Sequence, residues 1–107
     1  MIISGSQNRM KKERALRILH DHIEEIRKFH VVSIAIFGSV ARDESSDASD
    51  IDILIEFDPN ATVGLFMFIE LKNYLSRILE CDVDLATINS LRKEMRSSVL
   101  KEMIRAA

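Results

Sequence analysis

A small α/β (α+β) domain, with a mixed three-stranded sheet flanked by about four helices, is the fold this sequence predicts. Three observations predict it. Apolar spacing switches between helical and extended periods along the chain, in the order helix, strand, short helix, strand, helix, strand, helix. About a dozen residues join the first two strands, whereas a long helical pattern separates the second from the third, which suits a mixed sheet covered by helices. The length of 107 residues, 47% hydrophobic and 30% charged, supports one core but no separate substrate domain.

Residues 1–9 form a polar leader of a composition compatible with disorder, and residues 10–107 form the single domain. Met10 to Phe29 reads as one helix, because Leu16, Leu19, Ile23 and Ile26 make an apolar stripe at three- and four-residue spacing. VVSIAIF at 31–37 is β-branched and almost wholly apolar, as in a strand buried on both faces. Gly38-Ser39 interrupts it, and a short helix and polar loop follow. DIDILIEF at 50–57 alternates, with Ile51, Ile53, Ile55 and Phe57 on one face and Asp50, Asp52, Leu54 and Glu56 on the other. After the Asp58-Pro59-Asn60 turn a long helix is expected from about Thr62 to Leu79, with Thr62 or Asn60 as N-cap. Leu71, Leu75 and Ile78 suit its core face. Phe66, Met67 and Ile69 make its start apolar on more than one side, which fits either packing on both sides or a docking surface for a partner helix. CDVDLAT reads as the third strand, Val83 and Leu85 inward and Asp82 and Asp84 opposite; LRKEMRSSVLKEMIRAA closes the chain as a helix.

Charge is unevenly spread. Residues 31–90 carry three basic side chains against eleven acidic ones, between two ends that are each net positive, within a total of −2. Solvated helix faces and an acidic loop account for this, or the acidic middle needs a cation. Overall acidity and the absence of an aromatic-plus-basic strip argue against direct nucleic-acid binding. No apolar run approaches the roughly 20 residues of a membrane span. MIISGSQNRMKK lacks the pattern of a secretory signal, so the expected compartment is the cytoplasm. Cys81, the only cysteine, sits between Glu80 and Asp82, an environment that raises a thiol pKa and disfavours a nucleophile. His20 and His22 are two apart on a helix and point in different directions, and His30 has no evident partner.

Three features carry chemistry. A glycine at the end of an apolar strand permits a positive φ and close approach of a ligand to the backbone. Helix-starting N–H groups after Gly38, with the Ser39 hydroxyl, would hold a phosphate. Alone such a pair is usually a turn, and Gly5-Ser6 is a second example with no acidic pair following. Asp50 and Asp52 share one strand face about 7 Å apart, where their repulsion is of order 2 kcal/mol at an effective dielectric of about 20. A solvated face tolerates that; a bound Mg²⁺ converts it into attraction. Asp84 adds a third strand carboxylate, a set suited to two-metal phosphoryl transfer.

Gly38-Ser39, ten intervening residues, then Asp50-x-Asp52 resembles the signature of the nucleotidyltransferase superfamily with a DNA polymerase β-like palm. Four fixed identities at fixed spacing arise by chance in a chain this long about once in a thousand, so the combination outweighs its parts. IAIFGSVARDESSDASDIDILIEF, the DVDLAT strand and the closing segment narrow the resemblance to the minimal nucleotidyltransferase (MNT) family, over roughly residues 15 to 105. The resemblance implies a palm-like fold and an antitoxin that pairs, as a hetero-oligomer, with a small helical HEPN toxin. It implies transfer of AMP from ATP to a tyrosine hydroxyl of that toxin. Asp50 and Asp52 would bind Mg²⁺, and Asp84 would complete the triad and help activate the acceptor hydroxyl. Gly38 and Ser39 would hold the nucleoside triphosphate. Arg42 would neutralise phosphate or pair with a nearby acid, and Ser49 is a further candidate on the nucleotide. Size agrees, since a palm of 107 residues holds a nucleotide and leaves little for an acceptor, which should then be another macromolecule. Two alternatives remain: a non-catalytic antitoxin that neutralises its partner by occlusion, and a nucleotidyltransferase acting on RNA or a small molecule.

Overall fold

The computed structural model describes residues 11–42, 44 and 50–107; the leader at 1–9 and Ser49 lie outside the described residues. The elements are α1 (Lys12–Asp21), α2 (Ile23–Arg27), β1 (Val31–Phe37), α3 (Gly38–Ala41), β2 (Ile51–Phe57), α4 (Leu65–Leu79), β3 (Val83–Thr87), a 3-10 turn (Ile88–Ser90), α5 (Lys93–Glu102) and β4 (Ile104–Arg105). The strands form one mixed sheet in the order β3-β2-β1-β4. β1 and β2 are antiparallel, because the chain between them simply returns. β2 and β3 are parallel, because α4 carries the chain back across one face.

Both sheet faces are covered at the end where β1 finishes and β2 begins. On one face, Ile34, Ile36, Ile51, Ile53 and Ile55 meet Ala15, Leu19 and Ile26 from α1 and α2 and Leu71, Leu75 and Leu79 from α4. On the other, Phe37 and Leu54 meet Val99 of α5, flanked by Ala86, Leu91 and Met103. Leu54 is therefore buried although it alternates with the acidic face.

Some sequence expectations need correction. The first helix is two. At His22 the ring Nδ1 lies 2.8 Å from the Ile18 carbonyl oxygen, and the backbone N–H is shared between the Ile18 and Leu19 carbonyls, both at 3.2 Å. That closes α1 and redirects the chain, so Ala15 joins Leu19 and Ile26 in the core while Leu16 and Ile23 are only partly buried. α4 starts three residues late, capped by Gly64 rather than Thr62 or Asn60. Asp58 has already turned the chain, its Oδ1 accepting from the Asn60 N–H at 2.9 Å and its carbonyl from the Ala61 N–H at 3.0 Å. In the last turn of α4 Ile78 packs against the core as expected, and Leu79 beside it is fully buried.

The last correction is a strand where helix was expected. α5 stops at Glu102, Met103 is extended, and Ile104–Arg105 pairs antiparallel with Ala35 and Ile36. The Ala106 N–H also donates to the Ile34 carbonyl at 2.9 Å. Without this pairing the buried β1 would present an edge of unpaired N–H and C=O groups. At the start of α4, Phe68 packs on Phe57 with ring centroids 6.4 Å apart. Leu65 and Phe66 are 74% and 83% exposed, so that end is not packed on both sides. No helix among the described residues is long and apolar enough to cross a membrane.

The core and the exposed start of α4 make opposite predictions. Leu75→Ala, at a site with 0% exposure, should cost about 2–5 kcal/mol. Phe66→Ser should stay within about 0.5 kcal/mol of the parent. Urea unfolding of the three proteins checks both values.

Candidate active site

Register places the acidic residues. Phe37 pairs with Asp52 across β1 and β2, and Asp52 with Asp84 across β2 and β3, so the three form one row across the sheet. Phe37 points into the core under α5 while Gly38 begins α3. Gly38 has φ +73°, in the left-handed region. A Cβ built there would run into the Asp52 carboxylate, its Cγ only 2.9 Å away. The glycine is needed twice over, for its backbone angle and for the contact with Asp52.

A cavity of about 730 Å³ opens between this row and α5. Gly38, Arg42, Asp52 and Asp84 line one side, and Ser90, Glu94, Ser98 and Glu102 contribute to the other. Ser39 follows Gly38 in the first turn of α3, where amide N–H groups lack carbonyl partners within the helix; it is partly buried, and its carbonyl accepts from the Glu44 N–H at 2.8 Å. Asp50 is exposed and one residue ahead of β2, beside Ile51, whose N–H donates to the Asp82 carbonyl at 3.1 Å. Thus the structure gathers Gly38, Arg42, Asp52 and Asp84 around one cavity, whereas Ser39 and Asp50 are not among its lining residues and Asp50 acts on Asp52 through its charge.

The electrostatics of Asp52 follow from that crowding. Its pKa is pushed up to about 6, first by burial, then by the charge of Asp84, a hydrogen bond with Asp84 and the charge of Asp50; Arg42 pulls the other way. Burial, then Asp82 and Asp50, push the Cys81 thiol up, so it stays protonated at neutral pH and is no nucleophile. Among the described residues no three of His, Cys, Asp or Glu converge into a complete ligand cluster. Asp52 and Asp84 instead offer a two-carboxylate half-site. That suits Mg²⁺, which commonly takes one or two carboxylates and fills its octahedron with substrate phosphates and water.

Arg42 is held by two carboxylates. Its Nε donates to Glu44 Oε1 at 2.9 Å and its Nη1 to Glu102 Oε2 at 3.2 Å, and the Glu44 hydrogen bond is the main reason its pKa is raised. Of the two sequence readings for Arg42, the structure displays the pairing with acids. Glu102 and the α5 wall of the cavity carry no sequence motif, and nothing in the local pattern of α5 signals that they face the carboxylates.

Comparison with known proteins identifies the family and the fold. A family described as "Nucleotidyltransferase domain" matches residues 16–106. "Putative protein adenylyltransferase MJ0126" of Methanocaldococcus jannaschii is 47% identical over 90 residues, covering 81% of this chain and 89% of that protein. Protein adenylyltransferase MntA of Thermococcus cleftensis is 40% identical over 88 residues, covering 81% and 87%. A solved structure described as "Structure of putative minimal nucleotidyltransferase" superposes with a TM-score of 0.73 at 31% identity, over 89% of this chain and 95% of that one. The MNT antitoxin complexed with a tri-AMPylated HEPN toxin of Shewanella oneidensis shares the fold, with a TM-score of 0.60 at 22% identity over 86% and 71%.

Two predictions follow from the Gly38–Asp52 contact. Gly38→Ala must relieve both the +73° φ and the overlap with Asp52, at about 1–3 kcal/mol in urea unfolding; an unchanged midpoint would refute the contact. Asp52 binds its proton more tightly in the folded state, so its contribution to stability is present below about pH 4 and lost as pH rises through about 6. In chelator, Asp52→Asn should therefore gain stability over the parent as pH is raised from about 4 to 6 and keep that gain above it. Paired melting curves across that range check the sign.

Proposed function

The chain belongs to the minimal nucleotidyltransferase family, and from that membership we propose that it is an Mg²⁺-dependent protein adenylyltransferase that neutralises a HEPN-type toxin. The family membership makes it a nucleotidyltransferase. The finer reading is transfer of AMP from ATP to a tyrosine hydroxyl of the toxin. The observation that carries it is the row Asp52–Asp84 beside Gly38 at a single cavity. Relatives named as protein adenylyltransferases and a solved complex of an MNT antitoxin with a tri-AMPylated HEPN toxin support the acceptor class.

In this reading the α3 turn receives the triphosphate. Amide N–H groups following Gly38 and the Ser39 hydroxyl donate to phosphate oxygens, and the missing Cβ lets the Asp52 carboxylate lie against the same turn. A volume of about 730 Å³ is within the range of nucleotide-sized pockets. Asp52 and Asp84, with the charge of Asp50 acting on Asp52, would hold Mg²⁺, which supplies positive charge against the phosphates and the reacting oxygens. The tyrosine oxygen attacks the α-phosphorus, the bond from that phosphorus to the bridging oxygen breaks, and pyrophosphate leaves. Asp84, exposed on the edge strand, would take the hydroxyl proton in this reading. The cavity holds a nucleotide and no large acceptor, so the tyrosine enters from a partner.

Neutralisation by occlusion is a second reading, favoured by one observation. The exposed apolar start of α4, at Leu65, Phe66 and Ile69, follows the C-terminal end of β2, whereas Asp52 lies at its start. It suits a helical toxin docking without engaging the carboxylates.

The test is the intact mass of a HEPN-type toxin encoded beside this chain, after incubation with the protein, ATP and Mg²⁺. A gain of one or more AMP units is expected, and none with Asp50→Asn/Asp52→Asn. If the double variant modifies the toxin as well as the parent, the assigned carboxylates are wrong. If it protects cells while transferring nothing, occlusion is the mode of neutralisation.

A further inference from the structure

Resting on the nucleotide-binding reading above, we propose that Glu102 is a positioning residue, which holds the Arg42 guanidinium at the phosphate end of the cavity and off the Asp52 carboxylate. Arg42 is the one cationic side chain among the described residues lining the cavity, a lining that also includes Asp52, Asp84, Glu94 and Glu102. Its charge acts on Asp52. An Arg42 that settled on Asp52 would neutralise the oxygens meant for a divalent cation, and its donors would be spent before a phosphate arrived.

Two bonds prevent this collapse. Nε is bound to Glu44 Oε1 at 2.9 Å and Nη1 to Glu102 Oε2 at 3.2 Å. A guanidinium has five N–H donors in a planar fork, so two bonds fix its plane and leave the remaining donors for phosphate oxygens. The two carboxylates differ in rank. Glu44 is two residues from Arg42 and moves with it. Glu102 is 60 residues away, and its position is set by the sheet. It ends α5 immediately before β4, which pairs with Ala35 and Ile36 of β1, the strand that runs into Gly38. Both ends of the Arg42–Glu102 bond therefore hang from β1, at fixed distance from the glycine turn.

Stability is not the reason for the pair. Arg42 and Glu102 side chains are each 42% exposed, and ion pairs so exposed contribute little to folding. What the bond provides is direction.

The direction of the effect makes the proposal testable. If Glu102 were only a negative charge near an anionic ligand, removing it would tighten binding. If it positions Arg42, removing it weakens binding. Calorimetric titration of the full chain with ATP and Mg²⁺ should show Glu102→Gln weakening affinity about fivefold, with a melting temperature within a few degrees of the parent. In an Arg42→Ala background the same substitution should change nothing further, because the two residues act through one contact. Tighter or unchanged binding by Glu102→Gln overturns the proposal, as does an equal loss in both backgrounds. A parent that binds no ATP overturns the nucleotide-binding reading itself, and that outcome is distinct from the others.

Discussion

The close approach of the Gly38 backbone to the Asp52 carboxylate is the constraint on which the rest of this structure depends. A turn at φ +73° is needed to leave β1 and begin α3, and any side chain there would occupy the space of Asp52. Given a glycine, the turn and the carboxylate sit against each other, and a cavity that borders both is unavoidable. Given anything larger, the turn or the strand must shift. The antiparallel register, with Phe37 opposite Asp52, holds that contact, and two buried apolar layers hold the register.

Electrostatic stress is the cost of the arrangement. Asp52 is partly removed from water, next to Asp84 and near Asp50, and it answers by holding its proton up to about pH 6. Among the described residues one cationic side chain, Arg42, lines the cavity, and it is tethered by Glu44 and Glu102 rather than bonded to Asp52. A protein built only for stability would place a lysine or arginine directly on such a carboxylate. In the proposed function this acidic centre would receive a phosphate ligand together with a cation.

The folding pattern explains how so short a chain achieves this. Alternation in β2 puts Ile51, Ile53 and Ile55 into one core while Asp52 faces the cavity, and Leu54 closes the second core further along. β3 repeats the arrangement with Val83 and Leu85 around Asp84. β4 completes the sheet beside β1 and fixes the end of α5. Scaffold and site thus use alternate residues of the same strands.

The sequence by itself determined the α/β class, the three longer strands, and the grouping of Gly38, Asp52 and Asp84. These rest on local rules: period-two alternation, the conformational freedom of glycine, and a fixed spacing between a turn and a carboxylate pair. The break at His22 was less legible, since apolar spacing continues through it and the helix stops at contacts of the His22 ring and backbone N–H with the Ile18 and Leu19 carbonyls. β4 was illegible, because Ile104 and Arg105 fit a helical pattern and become a strand only beside the open edge of β1. The pairing of Arg42 with Glu102 was also decided by tertiary structure alone. An acid at the end of a helix carries no signal of its partner, and 60 residues of chain must fold before the two charges meet.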